Sequence, residues 1–238
     1  MMCITFSQRR QAYTVTSILG IRMVDMTHLP PFTITVCRGD SGCRYKVLDT
    51  DPLATPLQDR LQSQCLNRQA SSAHSVLRLA LSGCPNSCSQ PQIRDFGLQG
   101  RMEPSITAEP CLFCHACVQS CPEGFIQLND EGPVISDECL ACGRCVRACP
   151  SGTLRPGKKG WTLLAGGKLG RTPKLAVPIG HWLSDDEVTW EIATILERYL
   201  QEAAPGERLR SWLERSLWKE ESPEALGPLL YKLNRPAD

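Results

Sequence analysis

The strongest constraint on this chain of 238 residues is a cysteine pattern that occurs twice. Each copy reads C-x2-C-x2-C-x3-C-P, and the copies span residues 111–122 and 139–150. With this spacing, three close thiolates hold one cubane iron–sulfur cluster, and the fourth, which precedes the proline, binds the neighbouring cluster. The doubled run therefore predicts two [4Fe-4S] clusters in one small electron-transferring module.

This crossed ligation divides the eight cysteines into two predicted sets. The first ferredoxin set is Cys111, Cys114, Cys117 and Cys149, and the second ferredoxin set is Cys139, Cys142, Cys145 and Cys121. Structural zinc is the alternative, because C-x2-C is also a zinc-binding spacing, but eight cysteines in this order exceed what tetrahedral zinc sites need. Between the runs, apolar segments on both sides of residues 130–132 predict a β-hairpin.

The composition indicates a globular protein with a sizeable core, since 42% of the residues are hydrophobic and 21% are charged. Lys and Arg total 26 against 25 Asp and Glu, which predicts no general basic surface for nucleic acid. No apolar run approaches the roughly 18 residues of a membrane span, and no signal-peptide pattern is found. We therefore expect a reducing cytoplasmic setting, in which clustered cysteines bind metal.

Four further cysteines lie upstream as two pairs. Cys37 and Cys43 form C-x5-C, and Cys84 and Cys88 form C-x3-C after the strand-like segment 76–81. Each pair alone is weak evidence, because two buried cysteines fit as well and only the compartment disfavours a disulfide.

Together, the segments CRGDSGCR and GCPNSC resemble the cluster-binding half of siroheme sulfite and nitrite reductases. The resemblance implies that these four cysteines, here called the third set, bind a third [4Fe-4S] cluster. It also implies that Cys88 bridges this cluster to the iron of siroheme.

Two other segments extend the resemblance. Residues 160–176 look like the strand, glycine turn and basic segment that close this domain in the family, and FSQRRQAYTV looks like a siroheme-facing strand with Arg10 and Gln11 at the matching positions. From the residues alone, a solvated terminus is the simpler interpretation of Arg10. The glycines at 166, 167 and 170 predict a close approach of backbone to a ligand, but G-x-G-x-x-G is not matched.

Siroheme is rich in carboxylates, so its site must supply many cationic donors. The candidates are Arg10, Arg38, Arg44, Lys46, Lys168 and Arg171, with Arg10 and Arg38 predicted over the bound anion as catalytic residues. His74 and His115 are predicted to be structural or surface residues. Cys3 and Cys65 match no ligand spacing and are predicted to be free thiols.

The implied fold class is α+β. A siroheme/4Fe-4S sulfite-reductase-like domain is expected over 1–104 and 156–182, interrupted by a two-cluster ferredoxin-like module at 105–155 and followed by a helical extension at 183–238. Ser184 and Glu187 form a capping-box pattern before one helix, and a second helix is predicted over 207–219. Both helices are interpreted as packing or docking elements.

The resemblance, closest to the anaerobic and dissimilatory sulfite reductase chains, implies a six-electron reduction of sulfite to sulfide. Electrons would come from a donor protein or partner subunit through the ferredoxin clusters. Reduction of nitrite to ammonia is the close alternative, because it uses the same cofactor pair. The other alternative is a non-catalytic iron–sulfur electron carrier with an incomplete siroheme site. Family members carry a further strand before the Arg-Gln segment, whereas this sequence begins almost on that segment.

Overall fold

A six-stranded mixed sheet forms the centre of this computed structural model, which describes residues 4–5, 29–38, 42–65, 70 and 75–218. The strands lie in the order β1 (Ile4–Thr5), β2 (Phe32–Val36), β3 (Leu77–Ser82), β4 (Phe96–Ile106), β7 (Leu154–Ala165) and β8 (Val177–Leu183). Strands β2, β3 and β4 run parallel, whereas β1, β7 and β8 pair antiparallel with their neighbours. The carboxyl ends of the three parallel strands therefore meet at one edge.

The cysteine runs lie in an insertion between β4 and β7, which pair as far as Ile106 and Leu154. The insertion contains the helices α2 (Ala116–Ser120) and α3 (Arg144–Ala148) and the hairpin of β5 (Ile126–Asn129) and β6 (Gly132–Ile135). The Asn129 side chain accepts hydrogen bonds from the N–H groups of Glu131 and Gly132 at 2.9 and 3.0 Å, and so closes the turn. The predicted hairpin is confirmed.

Helix α1 (Asp51–Gln64) connects β2 to β3 and was not predicted. Pro52 lies in its first turn, where no intrahelical N–H bond is lost. Leu53, Leu57 and Leu61 follow one another at intervals of one turn and are fully buried. This stripe packs against the sheet and against the first C-terminal helix.

That helix, α4 (Asp185–Glu202), begins with the predicted capping box. The Ser184 hydroxyl accepts from the Glu187 N–H at 3.3 Å, and the Glu187 carboxylate accepts from the Ser184 N–H at 2.8 Å. Its apolar face is buried in the same core as α1 and the sheet. The Trp161 indole of β7 also donates to the Asp185 carboxylate at 2.6 Å.

The second predicted helix is shorter than expected: α5 spans Leu209–Ser216 and does not begin at Glu207. Glu207 is held outside the helix because its carboxylate accepts from the Ala204 N–H at 3.0 Å and from Arg215 at 2.9 Å. Trp212 is fully buried and packs edge-on against the Tyr199 ring at 5.6 Å. Both C-terminal helices are thus packing elements of the main core.

These elements confirm the predicted α+β class. The division into domains at residues 105, 155 and 183 stays a prediction. None of the helices in the described ranges has the length and apolar character that a bilayer crossing requires.

Candidate cofactor site

The first ferredoxin set lines one cavity. Its four cysteines are joined there by Leu128, Pro133 and Leu154, which make the wall largely apolar. Cys149 comes from the other cysteine run, so the fold brings together residues that are far apart in sequence, as the crossed ligation predicts. His115 is exposed and lines the mouth of the same cavity.

The two cysteine runs share one backbone conformation. Phe113 and Ala141, two residues after the first cysteine of each run, have positive φ angles of 49° and 53°. His115 and Gly143, after the second cysteine, follow with 57° and 65°. In both runs the N–H of the first of these residues donates to the preceding cysteine sulfur at 3.4 Å. Such bonds stabilise negative charge on sulfur, which is what a ligating thiolate needs.

The thiols of the second ferredoxin set also lie together. Burial raises the pKa of Cys145 to about 11, and the neighbouring Cys139, Cys142 and Cys121 contribute to this rise. In the first set, burial alone would raise the pKa of Cys149, but hydrogen bonds from the Ser151 hydroxyl and nearby backbone N–H groups lower it overall. A metal that replaces the proton would offset the free-energy cost of burying these sulfur atoms as thiolates.

The third set lies at the carboxyl edge of the parallel strands. Cys37 directly follows β2, and Cys84 follows β3 after one residue. The Cys37 N–H donates to the Leu81 carbonyl at 2.9 Å, and the Gly83 N–H donates to the Cys37 sulfur at 3.3 Å. Burial raises the pKa of Cys84, and the three other thiols of the set add to this effect. All four predicted ligands therefore lie in one neighbourhood, within electrostatic reach of Cys84.

Gly83 allows this convergence. Its carbonyl accepts from the Val47 and Leu48 N–H groups at 2.8 and 3.1 Å, which fastens the loop after Cys43 to the end of β3. A Cβ at Gly83 would lie 2.5 Å from the Leu48 carbonyl oxygen, closer than real Cβ contacts. Only glycine fits between these two segments.

Cys84 and Cys88 differ in exposure. Cys84 is 7% exposed, whereas Cys88 is open to solvent, with the Asn86 amide 3.8 Å from its sulfur. Ser87, between them, has a positive φ of 55° and turns the chain outward. The Cys88 sulfur is therefore accessible to a second group outside the set.

The third set lies beside the second ferredoxin set. Val47, Cys84 and Met102 form a small buried cluster with Val146 of α3 packed against it. The Met102 N–H donates to the Ala141 carbonyl at 2.7 Å.

A ring contact reinforces this junction. Tyr45 lies between Arg44 and Arg144, whose guanidinium carbons are 4.7 and 4.6 Å from its ring centroid. Neither this contact nor the role of Met102 was predicted, because the contacting residues belong to distant segments with no shared spacing.

The basic candidates are placed unevenly. Arg38 and Arg44 are exposed beside the third set. Lys46 forms an ion pair with Asp49, and Lys168 donates to the Thr172 hydroxyl at 3.4 Å. Arg171 is exposed in the same turn as Lys168, while Arg10, Gln11, His74 and Cys3 lie outside the described residues. Cys65 is buried just after α1 and forms no disulfide with another cysteine of the described ranges.

The glycine turn after β7 approaches protein rather than open space. A Cβ at Gly167 would lie 2.6 Å from the Arg94 carbonyl oxygen, and the N–H groups of Gly166 and Gly167 donate to the carbonyls of Asp95 and Arg94, both at 2.8 Å. The expectation that these two glycines admit a ligand is therefore corrected: Gly167 admits the chain that follows GCPNSC, and a Cβ at Gly166 would meet the Arg210 and Trp218 side chains at 2.9 Å. Gly170 has open space around it.

The residues present fit three cubane clusters. Each set supplies four cysteines, and at least one sulfur in each set accepts a hydrogen bond from a backbone N–H group. In the described part of the chain, no three Cys, His, Asp or Glu side chains converge closely enough to hold a single metal ion. A cubane needs a wider arrangement, because its thiolates bind separate iron atoms. The exposed Cys88, Arg38 and Arg44 fit an anionic haem at the third set.

The chain matches the family model described as the nitrite and sulphite reductase 4Fe-4S domain over residues 31–220. It is 34% identical over 175 residues to the coenzyme F420-dependent sulfite reductase of Methanocaldococcus jannaschii, covering 73% of this chain and 27% of that protein. It is 30% identical over 171 residues to one subunit of the anaerobic sulfite reductase of Salmonella typhimurium, covering 69% of this chain and 48% of that subunit. The chain thus spans less than half the length of these relatives.

A solved structure has a similar fold. The crystal structure of dissimilatory sulfite reductase I superposes with a TM-score of 0.57 at 18% identity, covering 87% of this chain and 55% of that chain.

Proposed function

Since this chain belongs to the nitrite and sulphite reductase 4Fe-4S domain family, we propose that it is a siroheme-dependent oxidoreductase subunit that reduces sulfite to sulfide. The proposal rests on one observation above all: four thiols converge at the carboxyl edge of the sheet, and one of them, Cys88, is exposed while Cys84 is buried. Cys114 of the first ferredoxin set is exposed as well, so the support comes from the exposed Arg38 and Arg44, each directly after a cysteine of the third set, where an anionic haem needs cations.

The proposed ligands of the third cluster are Cys37, Cys43, Cys84 and Cys88, and Cys88 would also bind the siroheme iron. When bound, siroheme coupled to a cluster supplies an iron at which an oxyanion takes up six electrons in succession. The protein binds and orients these groups. Arg38 and Arg44 would hold the haem carboxylates, and Arg38 with Arg10 would stabilise the charge on the leaving oxygens of the anion by donating hydrogen bonds to them. Gln11, Lys168 and Arg171 are further proposed contacts to the haem.

Electrons would reach the third set through the inserted module. The position of the second ferredoxin set supports this order of electron transfer, because Met102 and Val146 pack between that set and Cys84. The first ferredoxin set is then the entry point. Leu112 and Phe113, which follow its first cysteine, are 64% and 47% exposed. A donor protein or partner subunit would dock at this end.

Sulfite is favoured over nitrite because two relatives that match over 175 and 171 residues are named sulfite reductases. The ferredoxin–nitrite reductases of Betula pendula and Leptolyngbya laminosa match over 78 and 112 residues. The choice is tested by comparing kcat/KM for the two anions with one reduced donor.

The first test is an anaerobic visible spectrum of the full chain, with iron, sulfide, zinc and extracted tetrapyrrole measured on the same sample. We expect siroheme bands and about thirteen iron atoms per chain, that is, three cubanes and one haem iron. Turnover of sulfite with a chemical reductant follows on that sample.

Other results would contradict the proposal in distinct ways. Cluster absorption without tetrapyrrole, in the chain alone and after incubation with siroheme, would indicate an electron carrier. Zinc without charge-transfer absorption would exclude the iron–sulfur interpretation altogether.

A further inference from the structure

A chain of hydrogen bonds connects the second ferredoxin set to the third set. The carbonyl of Leu140, which lies between Cys139 and Cys142, accepts from Arg101 Nη1 at 2.7 Å. Arg101 Nη2 donates to Gln99 Oε1 at 3.0 Å, and Gln99 Nε2 donates to the Ser87 hydroxyl at 2.6 Å. Ser87 precedes Cys88 and donates in turn to the Pro85 carbonyl at 3.0 Å.

Arg101 places a partly buried cation at this junction. Gln99 is 5% exposed, and Arg101 Nε is buried with no hydrogen-bond partner among the described residues. Burial lowers the Arg101 pKa, and the nearby Cys139 and Cys142 oppose that change, so the guanidinium lies within electrostatic reach of two cysteines of the second set. An unpartnered buried N–H on a charged group costs free energy.

We propose that Arg101 is a positioning residue that fixes the second ferredoxin set against the third set and stabilises the electron held by the second cluster. Reduction adds one negative charge to a cluster. A fixed, partly buried cation beside two of its ligands favours the reduced form, because its charge is screened less there than at a fully exposed position. Gln99 and Ser87 orient the guanidinium from the side of the third set. This inference rests on the proposed function, since it assumes that both sets hold clusters.

The test is a redox titration of the full chain, with anaerobically assembled clusters followed by electron paramagnetic resonance. In Arg101→Gln, we expect one cluster of the three to become harder to reduce, with about tenfold less reduced form at a fixed potential. For a one-electron step, tenfold corresponds to about 59 mV. Arg101→Lys keeps the charge. At the same fixed potential, its ratio of reduced to oxidised cluster should lie within about twofold of that in the unsubstituted protein, a margin set by the loss of one hydrogen bond.

Arg147 provides a matched control. Its guanidinium also donates to a carbonyl in the second cysteine run, that of Cys142 at 3.1 Å, but Arg147 is exposed. Solvent screens the charge of Arg147, so Arg147→Gln should change the ratio of reduced to oxidised cluster by less than about twofold. Gln99→Glu is a second variant that keeps the side-chain shape and places a carboxylate against Arg101. It should make the same cluster harder to reduce, and it tests the proposal if Arg101→Gln fails to fold.

Unchanged potentials in Arg101→Gln or in Gln99→Glu would overturn the proposal. So would an equal shift in Arg147→Gln, or an Arg101→Lys variant that behaves like Arg101→Gln. An unsubstituted chain that assembles no clusters would instead refute the proposed function, so the two failures are distinguishable.

Discussion

Replacement of Met102 by alanine tests whether the junction between the inserted module and the sheet is a packed contact. Met102 is 4% exposed and lies with Val47 and Cys84 in the cluster that Val146 of the module completes. The substitution removes a sulfur and two carbons, which at about 0.8 kcal/mol for each buried group gives about 2.4 kcal/mol. The cavity left behind adds to this, so we expect a loss of about 3 kcal/mol in the free energy of unfolding.

The assay is anaerobic denaturant unfolding of the assembled protein, together with the rate at which an iron chelator bleaches its visible absorption. Leu98 is a matched control, because it is 1% exposed but lies in the main core. Leu98→Ala should lose similar stability without faster bleaching, whereas Met102→Ala should show both effects. A Met102→Ala protein within about 0.5 kcal/mol of the unsubstituted chain, or equal bleaching in both variants, would refute the packed junction.

Three further substitutions have defined outcomes. Cys88→Ser should cost the third cluster and the haem iron bound through the same thiolate, about five iron atoms per chain. Cys65→Ser should keep all iron, and equal iron contents in the two variants would remove Cys88 from the ligand set. Gly83→Ala should destabilise the protein by about 2–4 kcal/mol in thermal unfolding, because its Cβ would meet the Leu48 carbonyl oxygen at 2.5 Å; an unchanged melting temperature would contradict this. Burial raises the pKa of Glu191 to about 7 from 4.5. The folded state therefore binds this proton more tightly, and stability falls as pH rises from about 4.5 to 7. Glu191→Gln should be more stable than the parent at pH 8 by about 1–2 kcal/mol after allowance for solvent screening, and not at pH 5; the same gain at both pH values would exclude titration of Glu191.

The parts that were predictable are those in which chemistry fixes a local spacing. The doubled cysteine run must place its thiols at fixed intervals, and the structure gathers Cys111 with Cys149 as the crossed ligation requires. The capping box at Ser184 is equally local. The resemblance drawn from CRGDSGCR and GCPNSC is confirmed at the level of the family.

The parts that were missed depend on tertiary contacts. Pro52 and Pro56 obscure helix α1, although its leucines recur at each turn and could have indicated it. Arg101 has no local signature, since its partners Leu140 and Gln99 belong to a loop and a strand. The pattern around Gly167 predicted an approach to a ligand, because sequence spacing cannot distinguish a cofactor from the backbone of Arg94.

The position of the insert has a consequence for the order of assembly. Strands β4 and β7 pair from Phe96 and Ala165 out to Ile106 and Leu154. Both ends of the insert therefore leave the sheet at one pair of facing residues. In the topology of the sheet, the whole module is the loop of a β4–β7 hairpin. Each doubling of the length of such a loop adds only about 0.6 kcal/mol to the entropic cost of closing it. The sheet can therefore reach its register while the thiols still carry protons. Delivery of iron and sulfide then becomes a late step, carried out on a scaffold whose anchor points are already fixed.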